Sequence, residues 1–284
     1  MKKIFTLSAL AVLMFSCQKE VSYEDPNNPP DTGGGGANDG TKLTRVGMKA
    51  GDDSITVKYT YTTNTRISEI DLSGTLGGDA ISQNSKYTRN ANNIITQEIY
   101  KSSDLAALGI PQVVFDHTYD DANNRYAYSK ITIAGVGVVD SIVYSYSNSR
   151  LSSVTHFAST NGTLAPARKE EYTYSGTNVA TISYSDYDDQ AQDFVLSLSE
   201  TYEYDSKTNP LLFTSDAVVL ANAMSIEAYS SLPLFYSSAN YTKLTAQDTT
   251  GSYTFDKTFT YNSNNRPATA TVNGGQLVYT YYYE

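Results

Sequence analysis

Four carboxylates fall within the eight residues Asp186-Tyr187-Asp188-Asp189-Gln190-Ala191-Gln192-Asp193. Calcium takes about six to eight hard oxygen ligands and often finds them on such loops. The glycine and terminal glutamate of an EF-hand loop are missing. Asp186, Asp188, Asp189 and Asp193 are therefore a weak calcium candidate, set against the ordinary alternative of a solvated hairpin tip. The two histidines, His117 and His156, stand in no metal-ligand spacing. They read as strand-surface residues. No glycine-rich phosphate loop follows a strand, and no Gly-x-Ser-x-Gly elbow occurs. Paired acids for glycoside hydrolysis need not be near in sequence, so they stay open. The expectation is a protein without catalytic residues or cofactor.

Tyrosine is the other residue type placed to act: there are 25, and no tryptophan. Tyr-x-Tyr or a close variant recurs as Tyr59-Thr60-Tyr61, Tyr144-Ser145-Tyr146, Tyr172-Thr173-Tyr174, Tyr202-Glu203-Tyr204 and Phe259-Thr260-Tyr261. Degenerate copies stand at Tyr87-Thr88-Arg89 and His117-Thr118-Tyr119. Counted on the second aromatic position, the copies are 28, 30, 27, 28, 30 and 57 residues apart, the last a double step with one copy overwritten. A fixed period of this length marks a repeat whose unit is one supersecondary element. An open tyrosine face could stack on sugar rings; otherwise the rings are core.

The elements decide between these. Ile142, Tyr144 and Tyr146 alternate with Val143, Ser145 and Ser147, the period of a strand. Asn148-Ser149 supplies a turn, Arg150–Thr155 starts a return strand, and Asn161-Gly162 carries a hairpin signal. Each period is thus two antiparallel strands and two turns. In most copies the aromatic positions share one face and Thr, Ser, Lys and Glu the other, as in a sheet with one wet side. This predicts an all-β domain: a single antiparallel meander of about 14–16 strands in hairpin repeats of about 28 residues, curled into a barrel or half-barrel. The tyrosines then face its core. Ser103–Gly109 reads as a helical turn. After Tyr204 the Asn209-Pro210 break discourages a return strand, and residues 211–236 are apolar without alternation. They read as a helical or loop insertion. Sixteen strands would close at a diameter of about 30 Å, wider than side chains fill, so Leu211–Phe235 is expected to pack inside.

Residues 1–16 have the make-up of a secretory leader, with Lys2-Lys3 before an apolar run too short to span a bilayer. Cys17, the only cysteine, follows directly, as at the acylation site of bacterial lipoproteins. Lipidation of Cys17 would make a membrane the partner of this protein. Residues 17–41, rich in Pro, Asn and Gly, read as a tether, and residues 42–284 as the repeat domain. Without Lys2 and Lys3 the chain keeps 18 basic against 30 acidic side chains, which argues against nucleic acid as a partner.

The repeat Tyr-x-Tyr-(Asp/Ser/Asn)-x-x-x-Arg, clearest at Tyr119 to Arg125, Tyr146 to Arg150 and Tyr261 to Arg266, resembles the YD repeat of Rhs-type shells, without its usual glycine before the arginine. The leader, the Pro/Gly tether, the Tyr repeats, the Tyr204–Pro210 break and the Tyr-rich Val278–Tyr283 together resemble a Bacteroidota lipoprotein family described as having a porin-like β fold. That likeness implies an outer-membrane lipoprotein, periplasmic or surface-exposed, and carries no activity or site residues with it. Three expectations follow: a non-enzymatic binding or structural protein of the envelope, a glycan-binding lipoprotein of a polysaccharide-uptake system, or a membrane-spanning β-barrel. Lys58, Glu98, Lys130 and Glu203 interrupt the strands and speak against the last.

Overall fold

The alternation becomes strands wherever the repeat places them. In this computed structural model residues 42–62, 66–160, 162–212, 216–223 and 232–284 are described. Cys17 with the leader and tether, Asn161, and residues 213–215 and 224–231 of the insertion lie outside them. β1 (Leu43–Ala50) and β2 (Asp53–Tyr61) form the first hairpin. β3 (Ile67–Leu76) with β4 (Asp79–Arg89), and β5 (Ile95–Ser102) with β6 (Val113–Asp120), follow. Then come β7 (Arg125–Ile133) with β8 (Gly137–Ser147), β9 (Arg150–Thr160) with β10 (Thr163–Ser175), and β11 (Asn178–Asp188) with β12 (Asp193–Thr208). β13 (Ala239–Asp248) with β14 (Ser252–Tyr261), and β15 (Pro267–Val272) with β16 (Leu277–Tyr283), finish the meander. Each strand pairs antiparallel with its chain neighbours, and β1 pairs with β16, so the sheet closes into a barrel.

The Tyr-x-Tyr repeat has a distinct job at each aromatic. The first points inward in every copy that has tyrosine there, and Tyr59, Tyr87, Tyr144, Tyr172 and Tyr202 are buried. They interleave with Ile70, Ile95, Leu151 and Ile182 of the return strands, each worth about 1.5–3 kcal/mol when fully buried. At the second aromatic the register slips against the following strand in all seven copies, at Thr60/Tyr61, Thr88/Arg89, Thr118/Tyr119, Ser145/Tyr146, Thr173/Tyr174, Glu203/Tyr204 and Thr260/Tyr261. Bulges of this kind bend and twist the strand, which helps to close a sheet.

In five of the copies the same residue ties up the preceding strand on its other side, while Tyr119 donates to Asn124 Oδ1 and Tyr261 to the Asp205 carboxylate. Tyr61 donates its hydroxyl to the Leu43 carbonyl (2.8 Å), Tyr146 to that of Tyr126 (2.9 Å), Tyr174 to that of Leu151 (2.7 Å) and Tyr204 to that of Val179 (2.7 Å). Arg89, in the copy without the tyrosine, donates to Ile67 O instead (Nη2, 2.9 Å). The ladder has ended before each of these carbonyls; β9 and β10, for example, stop at Ser153↔Glu171. The hydroxyl takes the place of the missing amide, since a buried carbonyl needs a donor.

The described part of the insertion joins the core. α1 (Ser103–Ala107), capped by the Ser102 hydroxyl, stands at the β5–β6 connection as expected. α2 (Ala217–Ala223) and α3 (Leu232–Tyr236) belong to the insertion. Leu211, Val219, Leu220 and Phe235 have no solvent exposure and join the barrel core. Asp216 fixes the segment to the wall through Arg89 (2.9 Å), Arg66 (3.9 Å) and the Tyr126 hydroxyl (3.3 Å). Asn209 holds its other side by donating to the carbonyls of Leu234 and Ser237.

Two expectations need correction. His117 and His156 are not surface residues, because both imidazoles turn into the wall's inner side. Glu98 does not interrupt an outer face: it is wholly buried, on the inward phase of β5 beside Phe115 and Tyr87.

Candidate functional site

The inward position two residues before the first aromatic is apolar in β2 (Val57) and β8 (Ile142). In β10, β12 and β14 it is Glu170, Glu200 and Lys257, all buried. These alternate strands form the charged side of the lumen. Glu170 accepts from the Tyr172 hydroxyl in a short bond, and its other oxygen stands 3.7 Å from His156 Nε2 on β9. Asp140 on β8 lies 3.9 Å from His156 Nδ1. At these distances His156 is ion-paired with two carboxylates rather than hydrogen-bonded to them. Glu200 Oε2 accepts from Tyr184 (2.8 Å) and Tyr202 (2.6 Å). The Lys257 ammonium stands over the rings of Tyr241 (4.7 Å), Tyr279 (4.7 Å) and Phe259 (5.0 Å), a cation–π cage. Farther round the wall His117 Nδ1 meets the Ser129 hydroxyl (2.7 Å), which meets Tyr144 (2.8 Å).

Burial and neighbours move these groups apart in acidity. Burial opposes a charge on His156, but the flanking Asp140 and Glu170 outweigh it and raise the imidazole to about 9. Burial works against the Glu170 carboxylate too; His156, Tyr172 and Arg168 overcome it and hold the acid below the usual range. Glu200 rises to about 7 through burial, against the help of its two tyrosines. Glu98, with only Ser85 to help, rises to about 8, and His117 falls to about 4 through burial. At neutral pH this makes an imidazolium beside the Glu170 carboxylate on β9 and β10, and a neutral glutamic acid and a neutral imidazole at Glu98 and His117 on β5 and β6. Perturbed groups in such a cluster often mark functional sites. Here the charges of His156, Asp140 and Glu170 offset one another within a closed wall.

The acidic loop behaves otherwise. Asp188 accepts from the amides of Gln190 (2.7 Å) and Ala191 (3.0 Å), and Asp193 from that of Phe194 (2.8 Å). These carboxylates build the turn between β11 and β12. Among the described residues no group of three or more His, Cys, Asp or Glu side chains is placed to hold a metal.

The lumen cluster was missed in the sequence, although one signal was present. Glu170, Glu200 and Lys257 stand in the phase that the tyrosines mark as buried. A charge in that phase must have a partner.

The outer face has the opposite character. Lys243 pairs with Glu203 (3.0 Å), Lys169 with Glu171 (2.7 Å) and Lys130 with Asp116 (3.9 Å), all partway along their strands. Asn84 bridges Glu69 and Asp71 on the same face.

No protein-family model matches the chain, and no curated protein is similar to it in sequence. The fold has known counterparts. A porin-like protein from Bacteroides uniformis superposes with a TM-score of 0.54 at 13% identity, covering 85% of this chain and 96% of that one. A second, from Bacteroides vulgatus, gives a TM-score of 0.53 at 14% identity over 85% and 98%. The likeness is one of fold: an antiparallel β-barrel.

Proposed function

We propose that this protein is a lipid-anchored, non-enzymatic barrel of the cell envelope that stands in water and serves a binding or structural role. The observation that carries the reading is the inversion of the wall. A barrel that crosses lipid needs an apolar outer band about 25 Å tall around a polar interior. Here the ion pairs of β7, β10 and β12–β13 occupy that band, while tyrosines, aliphatic residues and the inserted helices fill the inside. The leader and Cys17 supply the anchor in this reading, and residues 18–41 the spacing from the membrane. An outer-membrane lipoprotein accommodates all three. Two measurements test it. A chain lacking residues 1–17 is expected to remain monodisperse without detergent, and the intact protein is expected to take up a labelled fatty acid that Cys17→Ala abolishes. Aggregation relieved only by detergent would instead indicate a spanning barrel. Unchanged labelling of the Cys17→Ala chain would end the anchoring claim.

A further inference from the structure

The two ends of the barrel differ. Lys42 and Glu284 meet at the end where the tyrosine turns and the insertion lie. At the opposite end, among the described residues, stand all the exposed large apolar side chains except Tyr282, including Leu108, Val136, Val195 and Leu196. The β11–β12 hairpin runs on there past the end of the β13 ladder. The β12–β13 ladder begins only at Leu198↔Asp248, while β11 and β12 stay paired out to Asp188↔Asp193. β10 leaves β11 at Arg168↔Asp186. Residues 193–197 of β12 therefore form a free edge about 15 Å long. Val195 and Leu196 are 50% and 57% exposed, and consecutive strand residues face opposite ways. Both faces of the ribbon are in water.

We propose that this ribbon is a docking edge for an extended polypeptide that carries apolar side chains and positive charge. A free edge offers unpaired amides and carbonyls, and recognition by strand addition uses them for affinity. The charge selects the occupant. Asp186, Asp188, Asp189 and Asp193 surround Val195 and Leu196 within one hairpin, and Asp248 stands where β13 begins to pair. Asp188 is held below the usual carboxylate range by the Ala191 and Gln190 amides, so the tip stays anionic. A second copy of this chain would bring the same carboxylates together, which opposes edge-to-edge pairing. A cationic strand meets the acids while its apolar residues cover Val195 or Leu196.

The test uses the full chain in neutral detergent and two fluorescent decapeptides, alternating Lys-Val and alternating Glu-Val. The Lys-Val peptide is expected to bind with salt-sensitive affinity, and the Glu-Val peptide not to bind. Val195→Lys with Leu196→Lys, two exposed positions that leave the barrel intact by circular dichroism, is expected to weaken binding by about tenfold or more. Equal binding of both peptides, or undiminished binding to the double variant, would overturn the proposal. So would dimerisation of the chain alone that the double variant abolishes, since the edge would then serve a second copy.

Discussion

At the scale of single residues, the interior is held together by groups whose protonation is set by burial. Glu98 at about 8, Glu200 at about 7 and His156 at about 9 all titrate above their unfolded values. The stability each adds is whole below its unfolded pKa and is lost as pH rises through the folded one. The windows are about 4.5–8 for Glu98, 4.5–7 for Glu200 and 6.5–9 for His156. His117, lowered to about 4, works the other way and loses its contribution as pH falls from 6.5. Stability is therefore expected to decline between pH 6 and 9. Glu98→Gln should shrink that decline by on the order of 3 kcal/mol, read from urea midpoints at the two pH values. A decline of unchanged size would show that Glu98 is ionised in the fold. The tyrosine hydroxyls are testable separately. Tyr174→Phe keeps the ring but strands the Leu151 carbonyl, and is expected to lower stability by about 1–2 kcal/mol in the same melts. The sequence announced these tyrosines through their period. It did not announce Asp140, His156 and Glu170 as a group, because their meeting depends on register across β8, β9 and β10.

At the scale of elements, the insertion and the β2–β3 pair each have one contact that a single substitution tests. Asp216 is 2% exposed, and the Arg89 side chain that faces it is nearly as buried. Asp216→Asn removes the charge but keeps the shape, leaving a buried guanidinium unpaired, at a cost of about 3–5 kcal/mol. Hydrogen exchange should then rise first in α2, with the strands still protected. Simultaneous loss of protection in strands and helix would mean that the insertion is needed for the barrel to stand. Gly74 in β3 is the other contact: a Cβ there would lie 2.0 Å from the Ser54 carbonyl oxygen and 2.7 Å from Ile55 Cα. Both obstacles are backbone, so the β2–β3 pair would have to move. Gly74→Ala is expected to destabilise by about 3 kcal/mol, where an exposed turn would tolerate the change. The insertion was legible in part: the Asn209-Pro210 break and the loss of alternation gave its place and its need for burial. Its anchor was not, since Asp216 finds Arg66 and Arg89 about 150 and 127 residues away along the chain.

At the scale of the whole molecule, closure is the property on which the other scales depend. A meander of sixteen strands has two free edges, and the first and last strands remove both by pairing Val46 with Tyr281 and Met48 with Tyr279. The repeat made the strand count readable, but it left barrel and half-barrel equally open. A period says how each hairpin is built and nothing about how the ends meet. What favours closure is the bend added at seven bulges in the same position of each copy, together with the apolar side chains that the described part of the insertion adds to the core. The ends meet closely: the Lys42 amide donates to Glu284 O (3.0 Å), and the Glu284 amide to Lys42 O (2.8 Å). Joining 284 to 42 through a short glycine linker, and opening the chain between Gly77 and Gly78, should therefore give the same barrel. Both glycines have positive φ in an exposed turn whose amides are held by Asp53, so the cut touches only those two local bonds. The permutant is expected to melt within a few degrees of the parent chain, with unchanged near-ultraviolet tyrosine dichroism. A chain ending at residue 276 should aggregate instead, since deleting β16 exposes the edges of β1 and β15. A truncated chain that stayed monomeric would show that the β1–β16 seam is not what closes the fold.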